Sequence, residues 1–145
     1  MNGSSQANVE HAVLHPANDR AQIDRAESVI LGSLDKFGYP DASKFAVRLA
    51  LEEALVNAFQ HGHRGLPETE TVDLEYSVSP TEVTIAVTDR GPGFDPGAVP
   101  DPTSEGNLEL PSGRGLMLMR AFMTTVEHDM GGKRLRMTYK FPAEA

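Results

Sequence analysis

At 145 residues the chain is one domain's worth of protein, long enough to bury a core without metal or disulfide staples. It has no cysteine, which excludes disulfides and thiol chemistry and suits a reducing cytoplasm, the expected location. The formal net charge of −8 offers no basic face to a phosphate backbone, so direct nucleic-acid binding is not expected.

Residues 1–8 read as a flexible tail. Met1 to Gln6 hold no basic stretch leading into an apolar run, so no secretory signal is expected. The longest apolar stretch is interrupted by Arg48, Glu52 and Glu53, so no membrane partner is expected either. A domain over residues 9–142 opens with a predicted short strand, Val9 to His15, ending at Pro16. Asn18 or Asp19 then caps a helix whose apolar stripe is Ile23, Ala26, Ile30, Leu34 and Phe37, at helical spacing. Gly38-Tyr39-Pro40 ends it. Asp41 or Ser43 caps a second helix, Lys44 to His61, stopped by Gly62 and Gly65. That helix is apolar nearly all round, which predicts burial between layers.

Two strands follow, Thr71–Val78 and Glu82–Thr88, turned at Ser79-Pro80-Thr81. The second alternates, with Val83, Ile85 and Val87 on one face. From Gly91 to Gly113 the chain is rich in proline and glycine and lacks periodicity, the mark of a functional lid or a disordered segment; a lid over about residues 91–113 is expected. A third helix, Leu116 to Thr124, presents Leu116, Met119, Phe122 and Met123 to the core. A last hairpin around Gly131-Gly132 ends at Phe141-Pro142. The order of elements predicts an α+β fold, a two-layer sandwich of about three helices on one mixed or antiparallel sheet.

Three clusters carry chemistry. Glu53 and Asn57 stand one helical turn apart on one face, with His61 a further turn along. Burying a carboxylate and an amide is costly unless they line a cleft or find partners. An amide oxygen suits Mg²⁺, and a carboxylate beside it can take a proton from a hydroxyl. The plainer alternative is a solvent-facing Glu53 and an Asn57 that caps a neighbouring loop. Asp89-Arg90-Gly91-Pro92-Gly93 leaves the alternating strand: the aspartate can accept from an exocyclic amine such as that of adenine, and the glycines let backbone approach a flat ligand. The same string is also an ordinary exit turn. Gly113-Arg114-Gly115, directly before the third helix, offers free N–H groups and a positive dipole end to phosphates, or else is a plain helix start.

Taken in order, Glu53…Asn57, Asp89-x-Gly91-x-Gly93 and Gly113-x-Gly115 resemble the Bergerat-fold (GHKL-type) ATPases. The strings "LALEEALVNAFQHGHRG" and "GRGLMLMRAFMTTVEH" are most similar to the anti-sigma-factor serine/threonine kinases of bacteria. The resemblance implies ATP and Mg²⁺ as cofactors, Glu53 as general base, Asn57 as the metal ligand and Asp89 on the adenine amino group. It also implies that Gly91 and Gly93 shape the pocket floor, that Gly113, Arg114 and Gly115 contact phosphates, and that His61 lies near them. The implied partners are a sigma factor, a STAS-type anti-anti-sigma protein phosphorylated on serine, and a second copy of the chain as a homodimer. Many relatives carry Gly-Thr at the start of the last strand, where this chain reads Gly132-Lys133; Thr138 is no substitute. A histidine-kinase catalytic domain would need an upstream helix with His before an acidic residue. His11 precedes Ala12 and His15 precedes Pro16; His128-Asp129 falls in an expected strand. A non-catalytic ATP-binding module that sequesters a partner remains the alternative, against which Glu53 counts, because binding alone needs no base.

Overall fold

A computed structural model describes residues 9–63, 65–67, 69–91 and 113–142. The tail over residues 1–8, and the lid apart from its two ends, lie outside the described residues. The elements run β1 (Glu10–Leu14), α1 (Arg20–Lys36), α2 (Asp41–Asn57), a π-helical turn (Ala58–Gly62), β2 (Asp73–Val78), β3 (Glu82–Thr88), α3 (Gly113–Phe122), β4 (Thr125–Asp129) and β5 (Arg134–Lys140). The five strands form one sheet in the order β1-β2-β3-β5-β4, and every pairing is antiparallel. The three helices cover one face, so the expected α+β sandwich stands, with an antiparallel rather than a mixed sheet.

Local chemistry sets the element ends. Asp19 caps α1, its side chain accepting from the Ala21 N–H. At the other end Gly38 sits at φ 80° and closes a Schellman motif: Gly38 N–H donates to Asp35 and Tyr39 N–H to the Leu34 carbonyl. Tyr39 is thereby turned into the core, where its hydroxyl donates to the Ser79 carbonyl at 2.8 Å. The second helix starts at Asp41 behind Pro40, with no side-chain cap; Ser43 is not a cap but is buried, and its hydroxyl pairs with that of Tyr139 at 2.7 Å.

The core lies between sheet and helices. Leu74, Tyr76 and Val78 of β2, and Val83, Ile85 and Val87 of β3, face Ile30, Leu34, Leu51 and Leu55. α2 is the middle helix, with α1 on one side and α3 on the other. Its inner stripe is Ala46, Val47, Ala50, Leu51, Ala54 and Leu55, but it is not buried all round: Phe45 is 61% exposed and Arg48 is also on the surface. Met119 of α3 and Met123 just beyond it are buried as expected, whereas Phe122 lies at the rim, edge-on to Phe45 with centroids 5.9 Å apart. The opposite face of the sheet is open and polar, with a groove of about 310 Å³ bordered by Glu75, Thr84, Arg136 and Thr138. None of the residues predicted to form the nucleotide site lines that groove.

Candidate functional site

Glu53 and Asn57 occupy the last turns of α2, both half-buried. Glu53 is one of two adjacent carboxylates about 100° apart on the helix. The other, Glu52, is committed to Arg20 of α1, whose guanidinium reaches its two oxygens at 2.7 and 2.9 Å. Among the described residues Glu53 has no such ion pair.

Beyond Asn57 the helix widens. The His63 N–H reaches back five residues to the Ala58 carbonyl at 2.8 Å, which is the π-helical hydrogen bond. His61 belongs to this turn, and its side chain lies outside the description. The extra residue carries Gly62 and His63 up against the end of β3. There the two segments leave no room for a side chain: a Cβ on Gly91 would stand 1.7 Å from the Gly62 carbonyl oxygen, and one on Gly62 would stand 2.3 Å from Asp89 Oδ2. Only glycine fits at either position.

Asp89 continues β3 by donating its N–H to the Lys133 carbonyl at 2.9 Å. Its carboxylate is buried, and among the described residues it meets no cation within ion-pair distance; its Oδ1 accepts from the Gly91 N–H at 2.8 Å. Burial raises the acid's pKa above the usual carboxylate range, with the Gly91 N–H bond and the charges of His63 and Lys133 pulling the other way. A buried carboxylate with spare acceptor capacity, beside two glycines that leave backbone bare, suits the amine edge of a flat heterocycle.

The sequence singled out His61 but passed over His63. The latter is 5% exposed, stacks edge-on against Phe59 and accepts the Arg90 N–H on Nε2 at 2.9 Å. Its sequence signal was only a second histidine after a glycine, and nothing in the spacing says which of the two turns inward.

Gly113, Arg114 and Gly115 do not precede the third helix as expected; they form its first turn. α3 therefore begins three residues early. Gly93 lies outside the described residues. Lys133, where relatives would place a threonine, contributes its carbonyl to Asp89. Thr138 pairs with Thr84 on the open face of the sheet, away from Asp89. Among the described residues no group of three or more histidines or carboxylates is arranged to hold a metal, and no helix is long and apolar enough to cross a membrane.

An antiparallel sheet with helices on one face, a polar-faced middle helix and a buried aspartate at a glycine-lined strand end define an ATP-binding domain of the Bergerat type. Residues 16–139 match the family described as histidine kinase-like ATPase domain, and the chain belongs to that family. Within it, the similarity read from the strings above is borne out. The chain is 38% identical over 101 residues to an anti-sigma F factor of Clostridium botulinum (strain Eklund 17B), covering 66% of this chain and 69% of the relative. The anti-sigma F factor of strain Alaska E43 gives the same figures. That of Clostridium beijerinckii is 36% identical over 86 residues, covering 57% of this chain and 59% of the relative.

Proposed function

We propose that the chain is an anti-sigma regulator that binds Mg·ATP, sequesters a sigma factor and transfers phosphate to a serine of a STAS-type antagonist. The observation that carries this reading is the contact of Gly62 with Asp89 and Gly91, which joins the Glu53–Asn57 end of α2 to the end of β3. α3 supports it from the other side. Its last turn is tied to the start of α2 through Phe122 and Phe45, so its Gly113 end is the one remote from the start of α2.

Bound Mg·ATP would supply the electrophilic phosphoryl group. Asp89 accepts from the adenine amine, and Gly91, with Gly93, lets backbone lie flat against the ring. The Asn57 amide oxygen serves as a metal ligand; metal-bound nucleotide needs few protein ligands beside phosphates and water. The first turn of α3, Gly113-Arg114-Gly115, takes the phosphates at a helix amino terminus, and the resemblance gives His61 a part in the same role. Glu53 would accept the proton of the serine hydroxyl as the new O–P bond forms and the bond from the γ-phosphorus to the bridging oxygen breaks, ADP being the leaving group. Because positioning and electrostatics do most of the work in phosphoryl transfer, the base sharpens a reaction that the cradle already favours. Sigma-factor binding belongs to an outer surface and does not need Glu53. A homodimer and a cytoplasmic location complete the reading, in keeping with a chain that has no cysteine.

The test is serine phosphorylation of a STAS-class protein in Mg·ATP, read by mass shift beside nucleotide affinity. Glu53→Gln should slow transfer about 10²–10⁴-fold while leaving affinity nearly unchanged. Asn57→Ala should weaken Mg·ATP and spare metal-free adenosine. Equal transfer by wild type and Glu53→Gln removes the base assignment. Nucleotide binding without transfer by wild type, across cognate antagonists, leaves the sequestering module instead.

A further inference from the structure

We infer that His63 is the positioning residue of the adenine acceptor: a neutral imidazole that fixes the Asp89–Gly91 turn from below and makes nucleotide binding fall away when it is protonated. The inference rests on the reading of Asp89 given above.

The geometry is specific. His63 Nε2 accepts the Arg90 N–H at 2.9 Å, between the residue that would hold adenine and the glycine that would lie beneath it. An accepting Nε2 requires the tautomer with the proton on Nδ1. Nδ1 is buried and, among the described residues, finds no hydrogen-bond partner. An apolar ring of the same size would avoid that orphaned donor, so what imidazole contributes at this place is its acceptor. The ring cannot easily turn away, because Phe59 stands edge-on to it with centroids 5.6 Å apart. The backbone beneath it is held by the π-helical bond to Ala58. Arg90 is anchored independently by its side chain, which donates to the Thr71 carbonyl at 2.9 Å and to Asp73 at 2.7 Å. Those two anchors fix Arg90, and with it the turn that carries Asp89 and Gly91.

Protonation undoes this. Imidazolium carries a proton on both nitrogens, so Nε2–H would face the Arg90 N–H as donor against donor. Four influences act on the ring. Burial disfavours the charge most, Asp89 and Glu70 favour it, and Arg90 disfavours it; the net effect lowers the pKa below the ordinary histidine value. His63 is therefore neutral and accepting at neutral pH, and the bond is lost on acidification. Asp89 also protonates toward acid, so wild type should lose nucleotide from two causes, and a variant must separate them.

The experiment measures metal-free ADP affinity by calorimetry from pH 5 to 8, together with hydrogen exchange at the Arg90 amide. His63→Gln places a non-titrating carbonyl where Nε2 was. It should keep wild-type affinity at pH 7.5 and show a shallower acid loss, with Arg90 protection that no longer depends on pH. His63→Leu should weaken ADP about three- to tenfold at pH 7.5, the value of one backbone hydrogen bond. If the leucine variant does not fold, the comparison of glutamine with wild type still decides. A glutamine variant with the full wild-type acid limb and unchanged Arg90 protection overturns the inference while leaving the adenine site standing. Wild type that binds no ADP at any pH overturns the reading of Asp89 and this inference together.

Discussion

Glu27 of α1 and Glu52 of α2 share the space between their helices with Arg20 and Arg48. Glu27 is almost wholly buried, and its Oε2 has no hydrogen-bond donor; the nearest guanidinium nitrogens of Arg20 and Arg48 stand 3.7 Å from its two oxygens. Burial, and then the carboxylate of Glu52, push its pKa up to about 8, whereas the bidentate Arg20 pulls Glu52 down to about 2. Glu27 therefore keeps its proton over a pH range in which Glu52 is ionised. A folded-state pKa above the unfolded value means that the native state holds the extra proton. Stability from Glu27 is full below about pH 4.5 and is lost as pH rises toward 8. Glu52 contributes with the opposite sign, losing its share only as pH falls toward 2. Glu27→Gln, which carries no charge at any pH, should melt about 5 °C above wild type at pH 8.5 and show little difference at pH 5. Melting curves followed by circular dichroism at the two pH values check this, and a difference that does not change with pH refutes it.

Between elements, the tightest constraint is the seam where the π-helical turn meets the end of β3. Gly91→Ala would drive a methyl into the Gly62 carbonyl, which is backbone and cannot step aside, whereas Gly62→Ala meets the buried side chain of Asp89, with Oδ2 at 2.3 Å and Cγ at 2.4 Å. Both should destabilise, by roughly 1–3 kcal/mol, with Gly91→Ala the worse. Denaturant melts give the order, and Gly91→Ala should also lose ADP affinity out of proportion to its stability. This seam was only half legible in the sequence. Strict alternation gave β3 residue for residue, the 3.6-residue stripe gave α1, and paired glycines gave the last hairpin, because each depends on local periodicity or turn chemistry. The π-helical turn adds one residue over five positions, too short a departure to disturb a period, so the inward turn of His63 was hidden. The start of α3 was hidden for another reason: glycines at its head lower helix propensity, and only packing against α2 recruits them. Phe122 has the spacing of a core residue, but its partner Phe45 is itself at the surface, a fact that belongs to the third dimension. The cap of α2 was misplaced because Pro40 needs no side-chain oxygen to open a helix whose first turn carries Asp41.

At the scale of the whole molecule, one sheet face is spent on the core and the other stays open and charged, while the net charge of −8 works against any anion. A nucleotide can be held only by a local arrangement of amides, metal and a few bases, so its binding should register as a discrete stabilisation. At about 100 times its Kd, Mg·ADP should add about 2.7 kcal/mol and raise the melting midpoint by roughly 6–10 °C. A thermal shift titration that saturates with no displacement would count against the site. The sheet order has a further consequence, for the route by which the chain folds. β2 with β3, and β4 with β5, are hairpins that close over a few residues, but β1 pairs with a strand more than sixty positions away, Glu10 lying opposite Val78. Closing so long a loop pays its entropy before any ladder bond repays it. As an edge strand joined to the sheet by β2 alone, β1 is expected to be laid down late, so that substitutions within it change the rate of unfolding more than the rate of folding in stopped-flow measurements.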